Sequence, residues 1–316
     1  GSNAADANTT GTRNIAIGMN SYGGSDTEND NMAIGFQAMT VNTAGGTRNI
    51  AIGNYNLDAL TSGDDNVAVG YEAMTDNTTG GANVAVGAYA LDTNTTGDNN
   101  VAVGKVALGA NTTGAGNTAV GYAALDANTT ADNNTAVGLR ALSANTTAAN
   151  NTAVGMNAML VSSTGADNVA VGFSALVANT TGGDNVAIGS QALLANTTGE
   201  DNVSIGTDSL QANTTGSDNV AVGKDALLAN TTAAKNTAVG NNAGVENTTG
   251  SENTYIGHQA GKANTTGSSN VAIGSDSAFY GQGRPITGSE NTYVGARTNS
   301  GLEAQANQIA VSYTHL

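Results

Sequence analysis

The chain has 316 residues with no Cys, no Trp, 4% aromatic residues and 43 Gly. Disulfides, thiolate metal sites and a core of large side chains are therefore excluded. The formal net charge is −16 and the 9 Lys and Arg residues are scattered singly, so neither nucleic acid nor anionic lipid is an expected partner. No apolar run approaches the length of a membrane span, and no membrane insertion by this segment is expected.

In chain order, Gly1-Ser2-Asn3-Ala4 reads as an expression-tag remnant over 1–4. From Asn14 onward one frame, Asn-x-(Ala/Ser/Tyr)-(Val/Ile)-Gly, recurs at Asn14, Asn31, Asn49, Asn66, Asn83, Asn100, Asn117, Asn134, Asn151, Asn168, Asn185, Asn202, Asn219, Asn236, Asn253, Asn270 and Asn291. Those 17 copies are separated by 17 residues, except for one interval of 18 (Asn31 to Asn49) and one of 21 (Asn270 to Asn291). A fixed short period is the mark of a solenoid, whose length is only a copy number. Residues 5–300 are therefore expected to form a single β-roll repeat domain. Residues 301–316 read as an exit segment with a candidate cloning-junction tail.

Numbering each copy from its Asn as position 0, position +3 is Val or Ile throughout and +1 is mostly Val, Ile, Met or Thr. This alternation, closed by Gly at +4, predicts a short strand. A helix is excluded because Gly and β-branched residues recur in every copy and no helical stripe develops. A second apolar station follows at +7 and +8, where +8 is Leu or Met in twelve consecutive copies before becoming Gly244 and Gly261. The second corner is Asn-Thr-Thr-Gly or Asn-Thr-Thr-Ala, residue types that tolerate left-handed backbone and satisfy local backbone groups. The expected coil has two strands and two tight corners, with Val/Ile at +3 and Leu/Met at +8 stacked inside. About 17 coils at a strand spacing of roughly 4.8 Å would make a rod about 80 Å long. The recurrent Ala at +2 and +7 reads as a surface kept small for another chain to approach, or as a cramped interior.

The motif Asn-x-Ala-(Val/Ile)-Gly-x-x-Ala, repeated with Gly at each corner from Asn14 to Gly295, resembles the head of trimeric autotransporter adhesins, the YadA-like heads. The resemblance implies an all-β, left-handed parallel β-roll that is homotrimeric, anchored through its parent at a bacterial outer membrane and used for attachment to a host surface. That family's repeat is shorter, the excess here lying in the Asn-Thr-Thr-Gly corner. Longer repeats of this kind also resemble shafts of phage tail fibres that end in an intramolecular chaperone, and Asn307-Gln308-Ile309-Ala310-Val311 is similar to the exit of such arrays.

No enzyme is expected. His258 and His315 have no nucleophile or acid placed beside them by the pattern, and the Gly spacings lack the strand–helix context of a phosphate loop. The acids before the anchor Asn (Asp167, Asp184, Asp201, Asp218) would stack about 5 Å apart, a spacing at which oxygen ligands hold Ca²⁺. Other copies place Ala82, Asn99 and Lys235 there, so a solvated acidic edge, with no metal and no cofactor, is expected. Adjacent Thr pairs point to opposite sides of the chain, which disfavours a monomeric ice-binding solenoid as the alternative. The variable positions after each Gly carry the exposed side chains suited to contact a receptor: Tyr71, Tyr89, Phe173 and His258, beside Phe36 and Tyr55. The insertion around Tyr280 and Arg284 breaks the wall and is the remaining candidate loop. Tyr255 and Tyr293, in place of Ala at +2, suggest that the same end is specialised.

Overall fold

β-Branched residues flanking Ala suit a pleated strand, and Gly at +4 ends it after three residues. The computed structural model describes residues 1–42, 45–278, 286–298 and 306–311. Contacts divide the chain into two units, Gly1–Asn157 and Ala158–Leu316. The first holds the strands from β1 (Ile15–Ile17) to β9 (Thr152–Val154), and the second those from β10 (Val169–Val171) to β18 (Ile309–Val311). Within each unit successive strands pair in parallel with like positions opposite, as Val67↔Val84 and Ala68↔Ala85 or Val186↔Val203 and Ala187↔Ser204. Each unit is therefore a parallel β-solenoid with a 17-residue coil, and no helix occurs among the described residues. None is thus long and apolar enough to cross a membrane. The longer intervals leave the register intact, since Met32 still faces Ile50 and Val271 still faces Thr292. The exit segment supplies β18, whose Ile309 faces Thr292.

Only one strand forms per coil, which corrects the expectation of two. The reason lies in the backbone of the second station. Positions +6 and +8 are left-handed, as at Tyr89 (φ 59°) and Leu91 (φ 53°), or Gln191 (φ 57°) and Leu193 (φ 54°). Alternating hand sends successive amides up and down the solenoid axis. Tyr89 N donates to Tyr71 O of the preceding coil at 3.0 Å, while Leu91 N donates to Ala107 O of the following coil at 3.0 Å. The turn thus satisfies its buried backbone groups without a ladder. Left-handed geometry costs a non-Gly residue about 1–2 kcal/mol, and burying a Leu side chain returns about 1.5–3 kcal/mol. Burial wins. Leu91 and Leu193 are fully buried.

Inside and outside also differ from the expectation. Ala at +2 and +7 is fully buried within the chain (Ala85, Ala90, Ala187, Ala192), so these alanines fill a cramped interior and are not an approach surface. The Val/Ile at +3, expected inside, face outward: Ile17 is 58% exposed and Ile256 41%. The period of two explains this, because a single central residue in a three-residue strand is the only one pointing in. Tyr255 and Tyr293 are likewise core residues. Tyr255 is fully buried in the space that Gly244 and Gly261 leave at +8; a Cβ on Gly244 would lie 2.5 Å from its ring.

Two buried asparagine columns close most coils, with Ser25, Leu60 and Ser162 standing in for the second Asn in three of them. At position 0, Asn66 N donates to Asn49 Oδ1 at 2.9 Å, and Asn66 Nδ2 donates to Gly80 O at 2.9 Å. At +11, Asn94 Nδ2 donates to Asn77 Oδ1 at 2.8 Å and to Gly97 O at 3.0 Å. In the second unit Asn202 and Asn213 both donate to Gly216 O at 2.9 Å. The corner Asn satisfy backbone groups with their side chains, as expected, but without adopting left-handed backbone. Gly at +4 is required for two reasons. Gly70 has φ 145°, and a Cβ there would lie 2.5 Å from the Gly87 carbonyl oxygen of the next coil.

Left-handed backbone at Leu193 yields a specific expectation. Leu193→Ala lowers stability by about 2–5 kcal/mol through the cavity. Elsewhere Gly costs about 0.5–1 kcal/mol more than Ala, but here Leu193→Gly is expected to unfold at a denaturant concentration no lower than Leu193→Ala. A clearly lower midpoint for the Gly variant would contradict the assignment.

Candidate functional site

Left-handed backbone at +6 turns the side chains of +5 and +6 away from the core. In four successive coils of the first unit these positions carry Phe36, Tyr55, Tyr71 and Tyr89. The rings alternate between +5 and +6 and so meet edge to face, with centroids 5.3, 6.0 and 5.6 Å apart and interplanar angles of 85°, 83° and 74°. That geometry suits the ring quadrupoles and contributes about 0.5–1.5 kcal/mol per pair. Tyr71 is exposed, and the other three are half-buried.

Carboxylates run beside the ladder. Asp58 and Asp92 at +9 are half-buried, Glu72 at +6 is half-buried, and Asp76 at +10 is exposed. Burial pushes the Asp58 and Asp92 carboxyls above the usual carboxylate range; nearby Asp76 and Glu72 push both further, while a hydrogen bond from Thr75 partly offsets this at Asp92. Hydrogen bonding to Glu72, with some burial, pushes the Tyr71 phenol up to about 12. Arg13–Asp30, Arg48 with Asp64 and Asp65, and Lys224–Asp225 form ion pairs, none of which includes any of these four acids. Farther along the same flank Tyr89, Asp92, Val106, Gly109, Ala110 and Asp126 line an open depression. Gly109, at +9 between the coils that carry Asp92 and Asp126, is among its lining residues. Burial raises the Asp126 carboxyl as well, with Arg140 opposing.

Of the residues expected to form a contact surface, the structure brings Tyr71 and Tyr89 together. Phe173 is 46% exposed and shares no ring contact among the described residues; His258 is exposed on the second unit. Tyr280 and Arg284 lie outside the described residues. Asp58, Asp76, Asp92 and Asp126 do not stand out from the repeat frame, and their one signal in the sequence is the acids at +9 and +10 interrupted by Gly109. Asp184, Asp201 and Asp218 are exposed, and no group of three or more His, Cys, Asp or Glu is placed to hold a metal among the described residues. From Asn77 to Asn264 the Asn of each Asn-Thr-Thr corner is buried, as Asn94 and Asn196 show, and cannot accept a glycan in the folded chain. The Thr pair divides: Thr95 Oγ1 donates to Thr112 O at 2.9 Å, while Thr96 faces solvent.

The raised Asp92 carboxyl gives a pH dependence with a definite sign. A carboxyl whose folded pKa lies above its unfolded value disfavours the fold when charged, and the penalty disappears as pH falls through the folded pKa. Asp92→Asn is therefore expected to raise the thermal midpoint at pH 7, with the difference shrinking as the pH falls and gone below about pH 4, where the carboxyl is protonated in both states. Equal midpoints at pH 7, or a difference that grows in acid, would contradict the burial assignment. No family model, curated protein or solved structure matches this chain.

Proposed function

We propose that the chain is a non-enzymatic, extracellular attachment module, the head or shaft of an adhesive fibre, in which copies of a left-handed β-roll assemble as a homotrimer through their strand faces. The observation that carries this reading is the outward apolar wall. In the first unit Ile52 and Val86, and in the second Ile188, Ile205, Val239 and Ile273, stand exposed in columns at +3, with half-buried Ile, Val or Thr at +1 beside them. Monomeric proteins rarely leave a contiguous apolar patch larger than a few hundred Å² open to water. A repeated wall is self-complementary, so its natural cover is the same wall on other copies. The resemblance to YadA-like heads and to tail-fibre shafts supports the same assembly, and a host-surface receptor is its proposed target. Attachment is multivalent: several copies present the same flank repeatedly, so avidity replaces a deep pocket.

One observation favours a second reading, a monomeric solenoid that binds ice. Thr96, Thr113 and Thr130 form an exposed column at +13 of the first unit. Oligomeric state separates the two. Light scattering after gel filtration is expected to give three times the 31.0 kDa chain mass, and Val222→Lys, at +3, is expected to shift it toward the monomer with the β circular dichroism retained. A monomeric parent chain that shows thermal hysteresis would replace the fibre reading.

A further inference from the structure

The flank of the first unit combines three features that no requirement of the coil explains. Four rings, one exposed and three half-buried, form a continuous ladder: Phe36, Tyr55, Tyr71 and Tyr89. Four carboxylates, on Asp58, Glu72, Asp76 and Asp92, run along it with no Lys or Arg partner among the described residues. A depression continues the ladder past Tyr89 and Asp92 to Asp126. Other coils build the same turn with Lys105, Ser190 or Lys224 at +5, so the fold itself does not call for aromatics here.

We propose that this strip docks a Lys/Arg-rich, extended polypeptide segment. Charge selects the partner. Half-buried acids that repel one another are relieved by cations, whereas a neutral glycan would leave them as they are. Rings selects the head group: guanidinium and ammonium are attracted to the faces of Tyr and Phe within about 6 Å, and Arg stacks on them as well. Alternate side chains of an extended strand recur every ~6.7 Å, close to the 5.3–6.0 Å between rings, and long flexible stems absorb the difference. The depression beyond Tyr89, ringed by Asp92 and Asp126 over Gly109, accepts one further cationic side chain.

This names a partner class for the attachment surface and rests on the attachment reading, but not on trimerisation, because the ladder belongs to one chain. The test uses the full chain and a fluorescein-labelled Arg-Ser repeat peptide, followed by fluorescence anisotropy at low and physiological salt. Its citrulline counterpart is the neutral control. The arginine peptide is expected to bind and the citrulline peptide not to. Tyr71→Leu with Tyr89→Leu is expected to weaken binding roughly tenfold, and Glu72→Gln with Asp76→Asn comparably, with circular dichroism unchanged. Asp184→Asn with Asp201→Asn, an acidic column without rings, is expected to change affinity less than about twofold. The proposal is overturned if the arginine peptide does not bind, or if the remote pair matters as much as the ladder. A neutral oligosaccharide competing as well as the arginine peptide would also overturn it. Light scattering on the same sample reports assembly separately, so a failure of the trimer is not mistaken for a failure of the strip.

Discussion

Everything in the coil depends on two columns of buried asparagine. A 17-residue turn with one three-residue strand has too few ladder bonds to satisfy its interior backbone, and buried unpaired groups cost about 1–3 kcal/mol each. The Asn at 0 and +11 meet this shortfall from opposite sides of the corner. Their amides converge on the carbonyl at +14, as Asn202 and Asn213 do on Gly216 O. Their side-chain oxygens take donors from the next coil, as Asn185 Oδ1 takes Asn202 N. Every bond of this kind joins like positions, so a slip of one residue would break the whole column. The columns, more than the apolar contacts, set the period. Where Leu60 replaces Asn at +11 it stays buried, and the Asn42 Oδ1 of the coil before is left without a partner.

With the corner closed by amides, the apolar residues are free to divide. Ala at +2 and +7 with Leu or Met at +8 makes a thin core, which the left-handed backbone at +8 tightens. The β-branched residues at +1 and +3 then have no room inside and form the outer wall. Such a wall is an incomplete core by the standards of a monomer. The proposed assembly follows from that imbalance. On the other flank, the variable +5, +6 and +9 positions carry no structural duty, and there the first unit concentrates rings and carboxylates.

Much of the fold was legible in the sequence, because the repeat places identical residues in register and the Asn-x-Ala-(Val/Ile)-Gly frame can only be a short strand. Two features were hidden. Leu is among the last residues expected in left-handed backbone, so +8 reads as a strand position until Gly244 and Gly261, in the same place, are taken as a sign of positive φ. Asn in a turn motif reads as a conformational choice, and its burial as a hydrogen-bonding column is invisible until the coil closes. Misassigning the core to +3 followed from the first error, since two strands per coil would have offered two inward faces. Tyr255 misled for a related reason: it compensates for a missing Leu in space and not in the adjacent sequence. At the candidate site, Tyr71 and Tyr89 were read from their position after Gly. Glu72 is the chain neighbour of Tyr71, but Asp58, Asp76 and Asp92 come near the rings only through the stacking of coils, which the chain order does not display.

The most direct measurement is hydrogen exchange of the asparagine side-chain amides, followed by NMR on a chain labelled at Asn. If the columns hold the coil, the Nδ2 protons of Asn66, Asn94, Asn202 and Asn213 exchange orders of magnitude more slowly than those of an unstructured Asn, as slowly as the strand amides beside them. Exchange of these side-chain protons at the unstructured rate, with the strand amides still protected, would contradict the account.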